Sequence, residues 1–281
     1  MDKLTKDSTI MLRNRVRIPV VGFGAGDLRE NEKEQVAVIR DALDVGYRHF
    51  DTAAIYHSER AIGTALRESG ISRDDVFITS KVWDASVRRG PVEILKSFEE
   101  SLRRLNTDYI DLYQFHWPVQ GKLVEAWKVL EQLYLTGRVR ALGIGNVKRH
   151  HFMEIMANCE VYPHVHQDEF TPFCTGDYIR YFDKYYGIAE ETMMPLRRLT
   201  HEKPDGVLAQ IGQKYDKSLQ QVVLRWNLQC GRIIIPKSAK PHRMQQNLDV
   251  FDFELTPEDM QQINALNYDG DINGDPDVTC I

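Results

Sequence analysis

The chain repeats one alternation, in which a short apolar run is followed by a longer stretch with apolar residues at helical spacing. The runs are Val20–Phe23, Phe50–Ala54, Val76–Val82, Tyr109–Phe115, Val139–Ile144, His164–Phe170, Gly187–Met193 and Ile233–Pro236. Eight β-then-α units in 281 residues predict an α/β protein with the (β/α)8 TIM-barrel fold, which takes about 250 residues. A doubly wound sheet is the competing architecture, but it usually carries a glycine-rich turn after its first strand.

The segments between the runs and ahead of them support the same architecture. The clearest helical stripe contains Ile94, Phe98 and Leu102. Ahead of the first run, Thr9–Met11 and Val16–Ile18 predict a short N-terminal β-hairpin, which we expect at the bottom of the barrel. Because no stretch rich in Gly, Ser or Pro divides the chain, residues 1–281 are expected to form a single domain.

Composition narrows the class of protein. The net charge of −5 removes the electrostatic basis for nucleic-acid binding. No run approaches the ~20 apolar residues of a membrane helix, and residues 1–10 have no apolar signal core, so a cytoplasmic protein without membrane contact is expected. The four cysteines are Cys159, Cys174, Cys230 and Cys280. Their wide spacing favours free thiols and predicts no metal site.

Polar, titratable side chains stand at the C-terminal ends of three consecutive predicted strands. Asp51, Lys81 and His116 stand at these strand ends, and Tyr56 follows five residues after Asp51. Each residue alone has an ordinary explanation as a cap, a solvated charge or a packing group. In a TIM barrel, however, the C-terminal strand ends meet at the mouth that carries the active site, so we expect the four side chains to converge.

This combination of groups suits carbonyl chemistry. A free tyrosine has a pKa near 10 and donates its proton poorly at neutral pH, but a nearby ammonium favours the phenolate. The Asp51 carboxylate would hold Lys81 charged and in place beside Tyr56. A neutral His116 imidazole could then hydrogen-bond a substrate oxygen that Tyr56 protonates as the oxygen gains charge.

A second group of polar residues surrounds a predicted helix start at Pro241. Lys237, Ser238 and Arg243 flank this start. Cations beside a helix N-terminus suit a phosphate monoester, although a solvated loop explains the same residues. The Gly22–Gly26 stretch lacks the spacing of a dinucleotide fingerprint and is interpreted as a tight turn over the barrel mouth.

Three segments resemble signatures of the aldo-keto reductase family. Phe50–Tyr56 is similar to the first, Asp108–Pro118 to the second, and Ile235–Ser238 with Arg243 and Asn247 to the third. The likeness extends over nearly the whole chain. The segments Phe251–Met260 and Gly274–Asp277 resemble the small prokaryotic branch that includes glyoxal, methylglyoxal and 2,5-diketogluconate reductases.

The resemblance implies an oxidoreductase that binds NADPH/NADP+ on a barrel and reduces small aldehydes, ketoaldehydes or ketones. Tyr56 would be the proton donor, Lys81 and Asp51 would tune it, and His116 would orient the carbonyl. The implied cofactor-binding residues are Gly24, Asn146, Gln167, Met193, Pro195, Leu196, Lys237, Ser238, Arg243, Gln246 and Asn247. Trp83 and Trp117 are expected to line the substrate pocket, and nothing in the sequence requires more than a monomer.

Four positions depart from the family pattern or carry unexpected charge. Gly145 replaces the usual Ser before Asn146, and Met193 replaces an aromatic ring. Both changes would weaken the hold on the nicotinamide. Asp168 and Glu190 are acidic within predicted strands, and alternation from Gln167 and Met193 places both on the outer face. These acids would need partners there.

Two alternatives follow from these features. Gly145 and Met193 allow a regulatory barrel that binds a nucleotide with weak or no turnover, although the complete catalytic group of four argues against it. An NADH-dependent enzyme is the other alternative, and Lys237 and Arg243 disfavour it because they suit the additional phosphate of NADPH.

Overall fold

The computed structural model describes residues 3–197, 199, 206–270 and 274–279. Its main sheet has eight parallel strands in sequential order. They are β3 (Phe23–Gly24), β4 (His49–Asp51), β5 (Phe77–Val82), β6 (Ile110–Phe115), β7 (Val139–Gly145), β8 (Val165–Asp168), β9 (Ala189–Met193) and β10 (Ile233–Ile235). Ile234 bridges to Val21, and the Gly22 N–H donates to the Ile234 carbonyl at 2.8 Å. These contacts bring the sheet round into the predicted barrel.

The N-terminal hairpin is confirmed. Strand β1 (Thr9–Met11) pairs antiparallel with β2 (Arg17–Pro19). Ile18 packs with Phe77 and Ile233, which begin barrel strands β5 and β10. The hairpin therefore covers the bottom of the barrel, where its apolar side chains are removed from water.

Helices surround the barrel strands. They are α1 (Glu32–Val45), α2 (Glu59–Ser69), α3 (Asp84–Arg89), α4 (Pro91–Leu105), α5 (Leu123–Leu135), α6 (Arg149–Asn158), α7 (Asp177–Tyr186), α8 (Val207–Tyr215), α9 (Leu219–Gln229), α10 (Pro241–Leu248), α11 (Pro257–Asn264) and α12 (Pro276–Thr279). Short 3-10 turns span Ala54–Tyr56 and Arg73–Asp75. Within the described ranges, no helix combines the length and the hydropathy that crossing a membrane requires.

Strand register places the polar strand ends side by side. Gly24 pairs with Asp51, which pairs with Thr79, two residues before Lys81. On the other side of the barrel, Gly145 pairs with Gln167. Side chains at these positions therefore meet at one end of the barrel, as parallel strands require.

Candidate active site

The four residues predicted at the strand ends lie together at the C-terminal mouth. The Tyr56 hydroxyl is 3.0 Å from His116 Nε2, and the two rings meet edge to face. Lys81 Nζ lies 5.2 Å from the centre of the Tyr56 ring. Lys81 donates to both oxygens of Asp51 at 2.7 Å and to the Thr52 carbonyl at 3.0 Å.

The Lys81–Asp51 pair is buried and holds a fixed charge. Lys81 is only 1% exposed. Burial acts to lower its pKa, but Asp51 outweighs this effect and the pKa of Lys81 is raised above that of an ordinary lysine. Lys81 is therefore an ammonium throughout the neutral range, held beneath the tyrosine ring.

The titration of the tyrosine differs from the expectation. Burial raises the pKa of Tyr56, and Lys81 offsets that rise only in part. Burial, with a smaller effect of the Lys81 charge, lowers the pKa of His116 to about 3. A protonated phenol thus faces a neutral imidazole. This is the protonation state that a proton donor to a carbonyl oxygen needs.

A carboxyl group in the barrel interior, that of Glu191, was not among the predicted site residues. Glu191 is fully buried, and its Oε1 accepts from Gln167 Nε2 at 2.5 Å. The same Gln167 nitrogen donates to Asp51 Oδ2 at 2.8 Å, which connects Glu191 to the Lys81–Asp51 pair. Alternation from Met193 places residue 191 on the inner face and was the signal that could have found it.

The residues predicted to hold the nicotinamide lie at the C-terminal ends of the neighbouring strands β7, β8 and β9. Asn146 Nδ2 donates to the His116 carbonyl at 2.8 Å. A Cβ added at Gly145 would lie 3.0 Å from the same carbonyl oxygen, so a serine there would crowd the backbone. Met193 and Pro195 are buried, and Leu196 is half-buried. Their roles in cofactor binding stay predictions.

The predicted phosphate-binding residues stand at the start of α10, which begins at Pro241 as expected. Lys237 and Arg243 are exposed and Ser238 is half-buried. Gly24 lies between this region and the mouth and packs closely against the backbone of the last barrel strand. A Cβ at residue 24 would lie 3.6 Å from Lys237 Cβ and 3.0 Å from the Ile235 carbonyl oxygen. Gln246 is exposed, whereas Asn247 is buried. Contact of Asn247 with an adenine stays a prediction.

The two tryptophans predicted for the substrate pocket flank the catalytic group. The centre of the Trp83 ring is 5.2 Å from the centre of the His116 ring, and the rings meet edge to face. Trp117 and Asn146 line a cavity of about 480 Å³, whose wall also includes Phe170 and Tyr178. This volume accommodates a small organic molecule.

Comparison with known proteins decides the family. The aldo/keto reductase family model matches residues 20–197 and 194–268. The chain belongs to the aldo/keto reductases. It is 44% identical over 272 residues to a glyoxal reductase of Bacillus subtilis, with 96% of each chain covered. It is 34% identical over 277 residues to the methylglyoxal reductase DkgA of Salmonella typhimurium, covering 98% of each.

A solved structure gives the same result. An aldo-keto reductase of Bombyx mori, in complex with NADP, superposes with a TM-score of 0.87 at 29% identity, covering 95% of each chain. The matches confirm the family resemblance and the barrel. This chain is therefore an oxidoreductase that acts on carbonyl groups.

The two acids noted in the strands of this aldo/keto reductase both have cationic partners outside the barrel. Glu190 Oε2 accepts from the buried Arg232 at 2.9 Å. Asp168 lies 3.6 Å from His166 Nε2. Burial alone would lower the pKa of His166, but Asp183 and Asp168 raise it to about 10. The predicted outward placement is consistent with these partners. Arg232 lies 42 residues from Glu190 in sequence, whereas His166 lies two residues before Asp168 on the same face of β8.

The C-terminal segment is tied to the start of α6 beside the cavity. Lys148 Nζ contacts Asp275 at 2.5 Å and Asp277 at 3.0 Å, and His150 and His151 also lie close to Asp277. The two histidines and Asp277 are close enough together to hold a metal ion. However, His151 Nδ1 accepts the Lys148 N–H at 3.2 Å, so its Nε2 carries the proton and donates to Asp277. We interpret these contacts as ion pairs and hydrogen bonds that attach Asp275 and Asp277 to the start of α6.

Proposed function

We propose that this aldo/keto reductase uses NADPH to reduce small aldehydes, ketoaldehydes or ketones to alcohols, with Tyr56 as the proton donor. The observation that carries the proposal is the position of the Tyr56 hydroxyl, 3.0 Å from His116 Nε2 and above the buried Lys81–Asp51 pair. The curated relatives named for glyoxal and methylglyoxal reduction support this substrate class.

The catalytic residues would act as follows. His116 would orient the carbonyl oxygen towards the Tyr56 hydroxyl. As the carbon is reduced, the oxygen gains charge and takes the proton from Tyr56. The resulting phenolate would be stabilised by the nearby Lys81 ammonium, which Asp51 keeps charged, and Tyr56 would recover its proton from solvent.

The residues present fit NADPH. Gln167 and Asn146 offer buried amides for the carboxamide, and Gly24 leaves a gap beside Ile235 and Lys237 that a Cβ would fill. Lys237, Ser238 and Arg243 would hold the 2′-phosphate at the start of α10. When bound, the cofactor supplies the hydride that reduces the carbonyl carbon. The curated relatives named as reductases favour turnover over the regulatory alternative.

Tyr56→Phe tests the proposal. The variant should bind NADPH but lose at least a hundredfold in kcat/KM with methylglyoxal, because general acid catalysis contributes about 10²–10⁴. Tyr134→Phe is the matched control, since it removes a half-buried hydroxyl from α5 at the other end of the barrel. Full turnover by Tyr56→Phe would exclude the assignment of Tyr56.

We also infer a reducing compartment such as the cytoplasm. Cys159, Cys174 and Cys230 are free thiols, and Cys280 lies outside the described residues. A single-domain monomer is the state we propose in solution. Light scattering of the purified protein would test it, and a mass of twice 32.6 kDa would contradict it.

A further inference from the structure

Gln167 donates to two carboxyl groups at once. Its Nε2 is 2.8 Å from Asp51 Oδ2 and 2.5 Å from Glu191 Oε1, and all three side chains are buried. The opposite orientation of the amide would direct its oxygen at Oδ2 of the Asp51 carboxylate, which has no hydrogen to donate. The amide is therefore held with its nitrogen towards the acids.

We propose that Glu191 is a positioning residue, which acts with Asp51 to fix the Gln167 amide so that its oxygen accepts from the nicotinamide carboxamide. This inference rests on the proposed NADPH-dependent function and extends it to a residue below the cofactor site. Glu191 would not touch the cofactor or substrate itself.

The barrel geometry explains why Asp51 alone is insufficient. Both Asp51 oxygens already accept from Lys81 at 2.7 Å, so Asp51 holds only one hydrogen of the Gln167 amide in addition. Glu191 pairs directly with Gln167 in the β8–β9 register and takes the other hydrogen. With two acceptors, rotation of the amide would break two buried hydrogen bonds rather than one.

The groups around Glu191 indicate in which protonation state it accepts the hydrogen bond from Gln167. Asp51 and Lys81 lie on one side, and His49 Nε2 lies 3.7 Å from Glu191 Oε2 on the other. Burial lowers the pKa of His49 to about 3, so it supplies no positive charge. Burial and the Asp51 carboxylate raise the pKa of Glu191. A neutral acid still presents a carbonyl oxygen to Gln167, and a glutamine at 191 presents the same acceptor.

Because a neutral glutamic acid and a glutamine present the same acceptor, two substitutions at residue 191 separate the role of the acceptor from that of the charge. Glu191→Gln keeps the acceptor without the carboxylate, whereas Glu191→Met keeps the length and removes the acceptor. We expect NADPH to bind about tenfold more weakly to Glu191→Met, roughly the effect of one hydrogen bond, and within twofold of wild type to Glu191→Gln. Glu190→Gln, one residue away on the outer face, is the matched control and should leave the NADPH Kd unchanged.

A double-mutant cycle tests whether the effect passes through Gln167. If it does, Glu191→Met should weaken NADPH binding no further in a Gln167→Ala background. A second readout uses the cofactor-free protein. The Gln167 side-chain amide resonance, assigned by its absence in Gln167→Ala, should shift in Glu191→Met and keep its position in Glu191→Gln.

Two outcomes would overturn the proposal. Equal weakening by Glu191→Gln and Glu191→Met would make the negative charge responsible instead of the acceptor, and an undiminished effect in the Gln167→Ala background would exclude Gln167 as the intermediary. Failure of the proposed function has a different signature, because wild-type protein would then neither bind NADPH nor oxidise it with a carbonyl substrate.

Discussion

Replacing Asp51 by Asn isolates the electrostatic role of the buried ion pair. Lys81 is 1% exposed and donates to both Asp51 oxygens at 2.7 Å, and among the described residues its other acceptor is the Thr52 carbonyl. The substitution preserves the shape of the side chain but removes its charge. The Lys81 ammonium would then be buried without a counter-charge.

The size and sign of the effect follow from this geometry. Breaking a buried ion pair by removing one partner lowers the free energy of unfolding by about 3–5 kcal/mol. Asp51 raises the pKa of Lys81 against the opposing effect of burial, so its removal leaves burial to lower that pKa. Since the charged form of a lysine is lost as pH rises through its pKa, Asp51→Asn should lose the Lys81 charge at a lower pH than the wild type does.

The assay is kcat/KM for NADPH oxidation with methylglyoxal from pH 6 to pH 9, expressed as the ratio of variant to wild type. We expect a ratio of about 0.1 or less at pH 7, which corresponds to a loss of about 1.4 kcal/mol or more in transition-state stabilisation. The ratio should fall further as pH rises, because Lys81 then loses its charge in the variant. Glu190→Gln removes a buried carboxylate elsewhere and should give a constant ratio. A constant ratio for Asp51→Asn as well would refute the view that Asp51 maintains the Lys81 charge.

Three further changes probe other parts of the molecule. Glu190→Gln leaves the buried Arg232 guanidinium without its carboxylate and should lower the free energy of unfolding in urea by about 3 kcal/mol, whereas a change below about 0.5 kcal/mol would show that the pair is dispensable. Arg243→Ala should weaken NADPH binding about tenfold and leave NADH binding unchanged, and equal weakening of both would place Arg243 away from the 2′-phosphate. Gly26→Ala would bring a Cβ to 3.3 Å from the Tyr56 ring and should lower kcat severalfold at unchanged NADPH Kd, whereas a wild-type kcat would mean that the ring moves freely.

Much of the barrel and its mouth could be predicted from local sequence. The alternation of apolar runs and helical stripes indicated the fold, and Asp51, Lys81 and His116 could be assigned to one mouth because they end consecutive strands. Both inferences depend only on short-range periodicity and on the rule that parallel strands end together. The hairpin and the Pro241 helix start were predictable for the same local reasons.

The tertiary structure alone decided which environment each group meets. Burial, and not only the neighbouring Lys81, sets the pKa of Tyr56, so the tyrosine remains protonated. Glu190 and Glu191 are adjacent in sequence, yet one pairs with Arg232 outside the barrel and the other accepts from Gln167 inside it. The sequence determined which face of β9 each acid occupies, because side chains alternate along a strand. Their partners and desolvation depend on distant segments brought together by barrel closure, which no local pattern encodes.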